Sequence, residues 1–298
     1  MKTKITERVM NFSDFISEGF KIFFARIRDL SILSLVNIIP VGLFLLLTQD
    51  SVFKPSGDLD VVKIIFLLAI LVFYVIMSLL TVMSSKIIVE GVVVDKPVSL
   101  ANAINLASSK WGRAFTTQLL TSLIILGLSL LLFIPGFIYS IYYIFMLDAV
   151  ALRDKDRMEA LKYSKTLVEG QWWRIFWISM GIGVIYLIFN GVITFTFGSV
   201  SENPYFAIVA NAISLYFASI LGVVGTVLFL NIDFAHYKKL TRRKIIEKRE
   251  NYVPTIEEYL KAKKKKEALT SKRSTVKKVK PRTVKSKTVV KRNTRKKE

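Results

Sequence analysis

Six long apolar stretches alternate with polar segments along residues 1–237. A bilayer core of about 30 Å accommodates roughly 20 helical residues, and the stretches approach or exceed that length. The pattern therefore predicts an all-α fold, a polytopic six-helix transmembrane bundle. The predicted spans are residues 30–47, 61–83, 114–134, 137–152, 175–197 and 205–232.

Lysine and arginine are concentrated in alternate connecting segments. They are frequent before the first span, between the second and third, and between the fourth and fifth. The opposite loops carry few charges, and residues 198–204 contain only Glu202. Cytoplasmic loops carry the excess of basic residues in membrane proteins. We therefore expect a multi-pass protein of the cell (cytoplasmic) membrane with both termini in the cytoplasm.

The three basic segments share one order of residues. Each has a capping residue (Ser13, Ser99 or Asp156), then apolar residues at helical spacing, then aromatic or basic residues before a span. This order predicts three amphipathic interfacial helices on the cytoplasmic side, one per helical hairpin. Indole and guanidinium groups suit the headgroup level. The residues expected to contact lipid headgroups are Arg26, Arg28, Trp111, Arg113, Trp172, Trp173 and Arg174.

Asp148 is the one acidic residue inside an apolar run. A carboxylate within a span is a candidate proton or cation site. The alternative, which we favour from the sequence, places Asp148 at headgroup depth, about 7 Å along the helix from Arg153. There it would pair with Lys155 or Arg174.

Small residues recur at every fourth position of the sixth span, and this spacing lets a neighbouring helix approach closely. Packing inside the bundle is favoured over a homo-oligomeric seam, with the glycines of span five as possible neighbours. The Pro135-Gly136 pair is interpreted as the tight turn between spans three and four. The helix-packing residues are Ala210, Ser214, Ala218, Gly222, Thr226, Gly181 and Gly183.

Charge separates the chain into two parts. Of its 43 lysine and arginine residues, 25 follow Tyr237, where only 6 of the 22 acidic residues lie. We expect an amphipathic cytoplasmic segment at 1–29, the six-span domain at 30–237, a basic juxtamembrane helix at 238–250 and a disordered lysine-rich tail at 251–298. The tail suits anionic lipid headgroups, or nucleic acid or a ribosome, or serves only to hold orientation.

Composition excludes several kinds of chemistry. The chain has no cysteine and one histidine, His236. Thiolate catalysis and histidine-based metal sites are therefore not expected. The sequence contains no GxSxG, HExxH or Walker motif and no usefully spaced pair of carboxylates. We predict no enzymatic activity, cofactor or catalytic residue.

The segments 134–136, 159–164 and 170–176 resemble the membrane domain of bacterial glycerophosphoryl diester phosphodiesterases. The pattern is also similar to that of uncharacterised six-span prokaryotic membrane proteins, and 96–100 and Asp233 fit it too. The resemblance implies an all-helical six-span bundle. The catalytic barrel of those phosphodiesterases is replaced here by basic residues, so their activity is not expected.

The resulting hypothesis is a non-enzymatic membrane scaffold or lipid-interacting module with a polybasic cytoplasmic tail. One alternative is a transporter or lipid-translocating protein that uses Asp148 and the glycines of spans five and six. It requires a cavity that reaches into the membrane. The other alternative is a membrane tether for nucleic acid or ribosomes. Expected partners are anionic lipids, nucleic acid or a ribosome through the tail, a second copy of the chain, or another membrane protein.

Overall fold

The computed structural model describes Ile5 and residues 10–47, 61–198 and 204–250, and these contain helices and no strands. Two compact units divide at Leu240, and everything below concerns the first. The helices are α1 (Phe12–Ala25), α2 (Ile27–Val36), α3 (Ile38–Leu47), α4 (Val61–Val93), α5 (Leu100–Leu131), α6 (Phe133–Tyr142), α7 (Met146–Arg153), α8 (Arg157–Val168), α9 (Trp172–Gly198) and α10 (Pro204–Glu250).

Within the described residues, six helical segments are long and apolar enough to cross a membrane, so a six-span, all-α architecture is confirmed at that level. Each overlaps one predicted span. They are Ile27–Phe44, Ile64–Val93, Leu100–Leu131, Phe133–Arg153, Trp172–Phe197 and Phe206–Arg242.

Burial is concentrated at one end of the bundle. The buried apolar residues form a single core cluster from α1, the last third of α4, the first half of α5, α7, α8 and residues 220–232 of α10. The opposite halves of α4, α5 and α9 expose large apolar side chains, including Leu130, Leu131 and Phe195 at 78–79%. Exposed apolar surface on this scale suits lipid.

Two helix boundaries differ from the sequence-based expectation. The second predicted interfacial helix is not separate, because residues 100–107 belong to α5, which Ser99 caps by accepting a hydrogen bond from the Asn102 amide at 3.3 Å. The first interfacial segment begins at Phe12 with Asn11 as its cap, so the assignment to Ser13 was wrong. The third, α8, has Asp156 at its N-cap as expected.

The turn between spans three and four lies at Leu132 and not at Pro135-Gly136. Leu132 has extended backbone (φ −155°, ψ 128°) and separates α5 from α6. Pro135 lies in the first turn of α6, where a missing amide hydrogen costs little. Gly136 allows close approach to α5, since a Cβ there would clash with Ser129.

The fourth span is broken between α6 and α7. Ser164 of α8 is completely buried and forms hydrogen bonds with the backbone on both sides of this break. Its hydroxyl donates to the Tyr142 carbonyl at 2.7 Å and accepts from the Phe145 amide at 3.1 Å. The backbone groups released by the break are thereby satisfied inside an apolar bundle. The short helix α7 packs beside α4, α5 and α8.

Candidate functional site

A cavity of about 230 Å³ lies between α1 and α2 on one side and α4 and α10 on the others. Its α4 wall extends from Tyr74 to Lys86, which is about 18 Å along a helix. Apolar residues such as Leu30, Leu33 and Leu215 form part of the lining. The polar lining residues are Ser34, Asn37, Ser78, Thr81, Ser85, Lys86, Ser219 and Thr226.

Most hydroxyl groups of this cavity donate to carbonyls of their own helix. Ser34 donates to Leu30 O at 2.8 Å, Thr81 to Met77 O at 2.9 Å. Such hydroxyls keep free lone pairs, so they can accept hydrogen bonds from a ligand. Asn37 donates through Nδ2 to Thr81 Oγ1 at 2.7 Å, while its Oδ1 is buried and has no hydrogen-bond partner among the described residues.

The one charged residue of the described cavity lining is Lys86, and it is paired with Asp148. Lys86 Nζ lies 2.7 Å from Asp148 Oδ1, and the two side chains are 13% and 4% exposed. The expected pairing of Asp148 with Lys155 or Arg174 was therefore wrong. Lys155 pairs with Glu159, and Asp148 points into the protein from α7.

A second buried ion-pair group centres on Arg153, at the other end of α7. Its Nε and Nη2 donate to Asp233 Oδ2 at 2.9 and 2.5 Å, and Nη1 donates to Glu90 Oε1 at 2.5 Å. Asp233 is completely buried and also accepts a hydrogen bond from Tyr163. Burial and this hydrogen bond raise the pKa of the Tyr163 hydroxyl well above its usual value. Arg153 thus holds α4, α7 and α10 together.

Lys86 and Glu90 lie one turn apart on α4, and each pairs with a residue of α7. Lys86 lines the first cavity, whereas Glu90 lines a second cavity of about 240 Å³ with Lys96 and Lys110. The two ion-pair groups therefore border one cavity each. Counted as fully ionised, their three carboxylates and two cations together carry one excess negative charge. We name Lys86, Glu90, Asp148, Arg153 and Asp233 the α7 network.

The C-terminal end of α7 is fixed by Lys110 of α5. Its Nζ donates to the Ala151 carbonyl at 2.8 Å and lies 2.8 Å from Asp154 Oδ1. A cation beside the last carbonyls of a helix offsets its negative end. The hydrogen bond from Lys110 lowers the pKa of the exposed Asp154 carboxyl. Asp154 itself adopts a left-handed conformation (φ 52°) that ends the helix.

Several predicted headgroup residues are bound within the protein. Arg26 donates to the Val98 carbonyl at 2.6 Å and pairs with Asp29. Arg174 donates to the Met10 carbonyl at 3.0 Å, and Trp172 Nε1 to that of Ile138 at 3.3 Å. These contacts connect distant segments of the chain.

The other predicted headgroup residues have more exposed side chains or looser contacts. Trp173 is 67% exposed, and Arg28 is exposed as well. Arg113 Nη2 lies 3.4 Å from Asp154 Oδ1. Trp111 stacks on Phe115, with ring centroids 5.3 Å apart, and its buried Nε1 has no hydrogen-bond partner in the described part of the chain.

The small residues of span six contribute to cavities as well as to packing. Ala218, Gly222 and Thr226 line the first cavity. Gly183 shares a cavity of about 250 Å³ with Ala218 and Gly222, whereas Gly181 faces α1. A Cβ on Gly181 would lie 2.8 Å from the Phe12 ring.

Two further members of the row make different contacts. Ser214 is buried and donates to Asn190 Oδ1 at 3.4 Å, and Ala210 is half-buried. The described residues contain no cluster of side chains that could hold a metal ion.

Sequence reasoning missed Lys86, Glu90, Arg153 and Tyr163 as members of a site. Lys86 and Glu90 follow the predicted end of span two, so they were interpreted as loop charges. Their spacing of four residues on a continuous helix was the available signal, because it places both on one face.

The architecture defines the class: a protein whose described part is helical and includes six apolar helices able to span a membrane. Within that class, the chain belongs to a family described as a domain of unknown function (DUF7847), whose model matches residues 66–240. Comparison with curated proteins and with solved structures gives no match. The matched region contains every residue of the α7 network, while the α1 and α2 sides of the first cavity precede it.

Proposed function

We propose that this chain is a non-enzymatic, lipid-binding module of the cell membrane and that the first cavity holds the polar part of a lipid. The observation that supports this best is the combination, in one cleft, of Lys86, a row of hydroxyl groups and apolar walls. A lipid has groups that match each of these: a charged or polar headgroup for Lys86, an oxygen-rich linkage for the hydroxyl groups, and hydrocarbon for the apolar walls. The resemblance to phosphodiesterase membrane domains remains a prediction and does not bear on this argument.

The size of the cavity indicates which part of a lipid it accommodates. Cavities for drug-sized ligands are about 300–1,000 Å³, and this one is about 230 Å³. It is therefore suited to a headgroup and its linkage, with the acyl chains outside. Exposed apolar side chains of α3 and α4, among them Ile39, Leu43 and Leu71, offer a surface for those chains.

The charge pattern orients this module with the core cluster and both termini at the cytoplasmic face. In that orientation α1 and α8 lie at the inner headgroup layer, where the exposed Arg28 and Trp173 reach lipid. The basic tail lies outside the described residues. We propose that it binds anionic lipid, with about 1 kcal/mol per basic residue near the surface, and thereby serves a scaffold function.

The test is to fill the cavity and to measure the retained lipid. Gly222 lines the cavity, and a Cβ there has no atom within 4 Å, so Gly222→Leu fills space without a first-atom clash. Gly225 on the same helix also has no atom within 4 Å but does not line this cavity, which makes Gly225→Leu a matched control. Mass spectrometry of full-length protein purified in mild detergent then counts bound lipid.

We expect lipid to be retained by the wild type and by Gly225→Leu and to be lost from Gly222→Leu. Equal retention by all three proteins contradicts a lipid site in this cavity. Thermal unfolding of each variant, followed by tryptophan fluorescence, separates loss of a ligand from loss of the fold.

Lipid translocation is the second candidate, and the buried Lys86–Asp148 pair at the end of the cavity favours it. A transporter class requires a polar site that a cavity joins to the membrane interior. Reconstitution into vesicles that contain a fluorescent headgroup-labelled lipid, followed by chemical quenching of the outer leaflet, measures translocation. Quenching of half the label with and without the protein contradicts this candidate.

A further inference from the structure

We infer that the cavity selects an anionic, phosphate-bearing headgroup and that its binding transfers one proton from solvent to Asp148. This inference rests on the proposed lipid site and specifies its ligand. It follows from the position of Lys86, which faces the cavity and the α7 network at once. A phosphate oxygen in the cavity therefore competes with Asp148 for the same ammonium group.

Lys86 is the group that binds the anion. An ammonium has three hydrogen-bond donors, and the hydrogen bond to Asp148 Oδ1 at 2.7 Å uses one of them. Hydrogen bonds from a cation to phosphate are charge-assisted and short, so phosphate is a stronger acceptor than the hydroxyl oxygens nearby. The neighbouring hydroxyls can turn from their own carbonyls to donate to the remaining phosphate oxygens.

Among the described residues, Lys86 is the one cation in hydrogen-bond contact with Asp148. Arg153 is committed to two other carboxylates, Asp233 and Glu90, and to the Leu152 carbonyl. Lys110 is committed to the Ala151 carbonyl and to Asp154. Asp148 is 3% exposed, so water cannot solvate its charge fully.

A buried carboxylate that shares its ammonium partner with a second anion is expensive to keep ionised. Binding of a proton removes this cost. In the balanced step, a further Nζ–H of Lys86 donates to a phosphate oxygen, so that one ammonium charge faces two anions, and one proton from solvent forms an O–H bond on Asp148. No covalent bond of the ligand changes, and the site gains one anion and one proton together.

The surrounding charges favour this exchange. The α7 network already has one more carboxylate than cations, so an added anion without a proton would leave two excess negative charges inside the bundle. Among the described residues, the charged and titratable groups around α7 are Lys86 and Glu90 from α4, Lys110 and Arg113 from α5, Tyr163 from α8, Asp233 from α10, Arg153 of α7 itself and Asp154, which caps its C-terminal end.

The experiment uses full-length protein in detergent and two soluble short-chain probes, dihexanoyl phosphatidylglycerol and dihexanoyl phosphatidylcholine. Isothermal titration calorimetry at one pH, in buffers of different ionisation enthalpy, gives the number of protons taken up per bound lipid. We expect uptake approaching one proton for the anionic lipid and none for the zwitterionic one. Affinity for the anionic lipid should fall with rising pH, by at most about tenfold per pH unit.

Two variants test whether Asp148 takes up the proton and whether Lys86 binds the anionic headgroup. Asp148→Asn should bind the anionic lipid with no proton uptake and no pH dependence, and Lys86→Gln should lose the preference for the anionic lipid. Lys21→Gln is the matched control, since Lys21 is half-exposed and its one ion pair within the described part of the chain is with Glu18. It should behave as the wild type.

Saturable binding of the anionic lipid without proton uptake by the wild type overturns this inference and leaves the lipid site standing. Proton uptake that persists in Asp148→Asn also overturns it. Absence of saturable binding of either lipid instead overturns the proposed function. The wild-type calorimetry is decisive even where a variant fails to fold.

Discussion

Replacement of Arg153 by methionine should be among the most destabilising single changes in this protein. The side chain of Arg153 is 14% exposed and is the only cation in contact with Asp233, a completely buried carboxylate, among the described residues. Methionine keeps a comparable unbranched apolar volume and removes the charge and all hydrogen bonds. The substitution therefore isolates the electrostatic role of Arg153 in joining α4, α7 and α10.

The magnitude follows from what the substitution leaves behind. Removal of one partner from a buried ion pair costs about 3–5 kcal/mol. Asp233 keeps the hydrogen bond from Tyr163, and Glu90 is 23% exposed, so water partly solvates it. The free energy of unfolding should therefore fall by about 3 kcal/mol, at the lower limit of that range. In a domain of this size, the melting temperature should fall by roughly 6–12 °C.

The assay is thermal unfolding of the full-length protein in one detergent, followed by tryptophan fluorescence and by the monodisperse fraction on size exclusion. The matched control is Lys155→Met, two residues further on, where an exposed pair with Glu159 at 3.3 Å contributes less than about 1 kcal/mol. A double variant, Arg153→Met with Asp233→Asn, should recover part of the loss because it removes the stranded charge. A melting temperature for Arg153→Met within about 2 °C of the wild type refutes this reasoning.

Three further substitutions test other contacts of the same unit. Gly19→Ala should cost about 1–3 kcal/mol through overpacking, since its Cβ would lie 2.5 Å from a valine of α10; Gly112→Ala, with open space around its Cβ, should gain up to about 1 kcal/mol. Ser164→Ala should cost about 1–3 kcal/mol, because it exposes the broken backbone between α6 and α7 to an apolar setting; an unchanged melting temperature contradicts this. Tyr163→Phe should cost about 1–2 kcal/mol at neutral pH by removing a donor to Asp233. A raised pKa in the folded state gives stability below pH of about 10 that is lost above it, so this variant should lack the alkaline decrease in stability that Tyr163 is expected to give the wild type.

The length of apolar runs was sufficient to predict the spans, because the thickness of the bilayer core determines how many helical residues are needed to cross it. The fifth span, predicted at 175–197, occurs as Trp172–Phe197. The same signal did not give helix ends. The amphipathic segment after Ser99 and the span that follows share the helical period, and Gly112 between them does not interrupt α5. A break in periodicity was therefore absent where a separate helix was expected.

The site was harder to predict because its members are charged residues placed just beyond the ends of predicted spans. Lys86, Glu90 and Asp233 lie there, and charges at such positions ordinarily meet water or headgroups. These residues are paired with Asp148 and Arg153 of α7. The separation of α7 from α6 was not predicted from the sequence. Asp148 was recognised as unusual, but its partner is 62 residues away in sequence. Pairings at that separation depend on helix packing, which a hydropathy pattern does not contain.

The uneven distribution of burial has a mechanical consequence. The helices share the core cluster at one end, and beyond it the described residues of α4, α5 and α9 bury few side chains. Bilayer composition should therefore govern how far the free halves of α4, α5 and α9 spread, while the anchored end keeps its shape. A thinner or more fluid membrane would then widen or narrow the gaps between these helices with little cost to folding, and entry of a lipid at the proposed site would respond to the state of the surrounding bilayer.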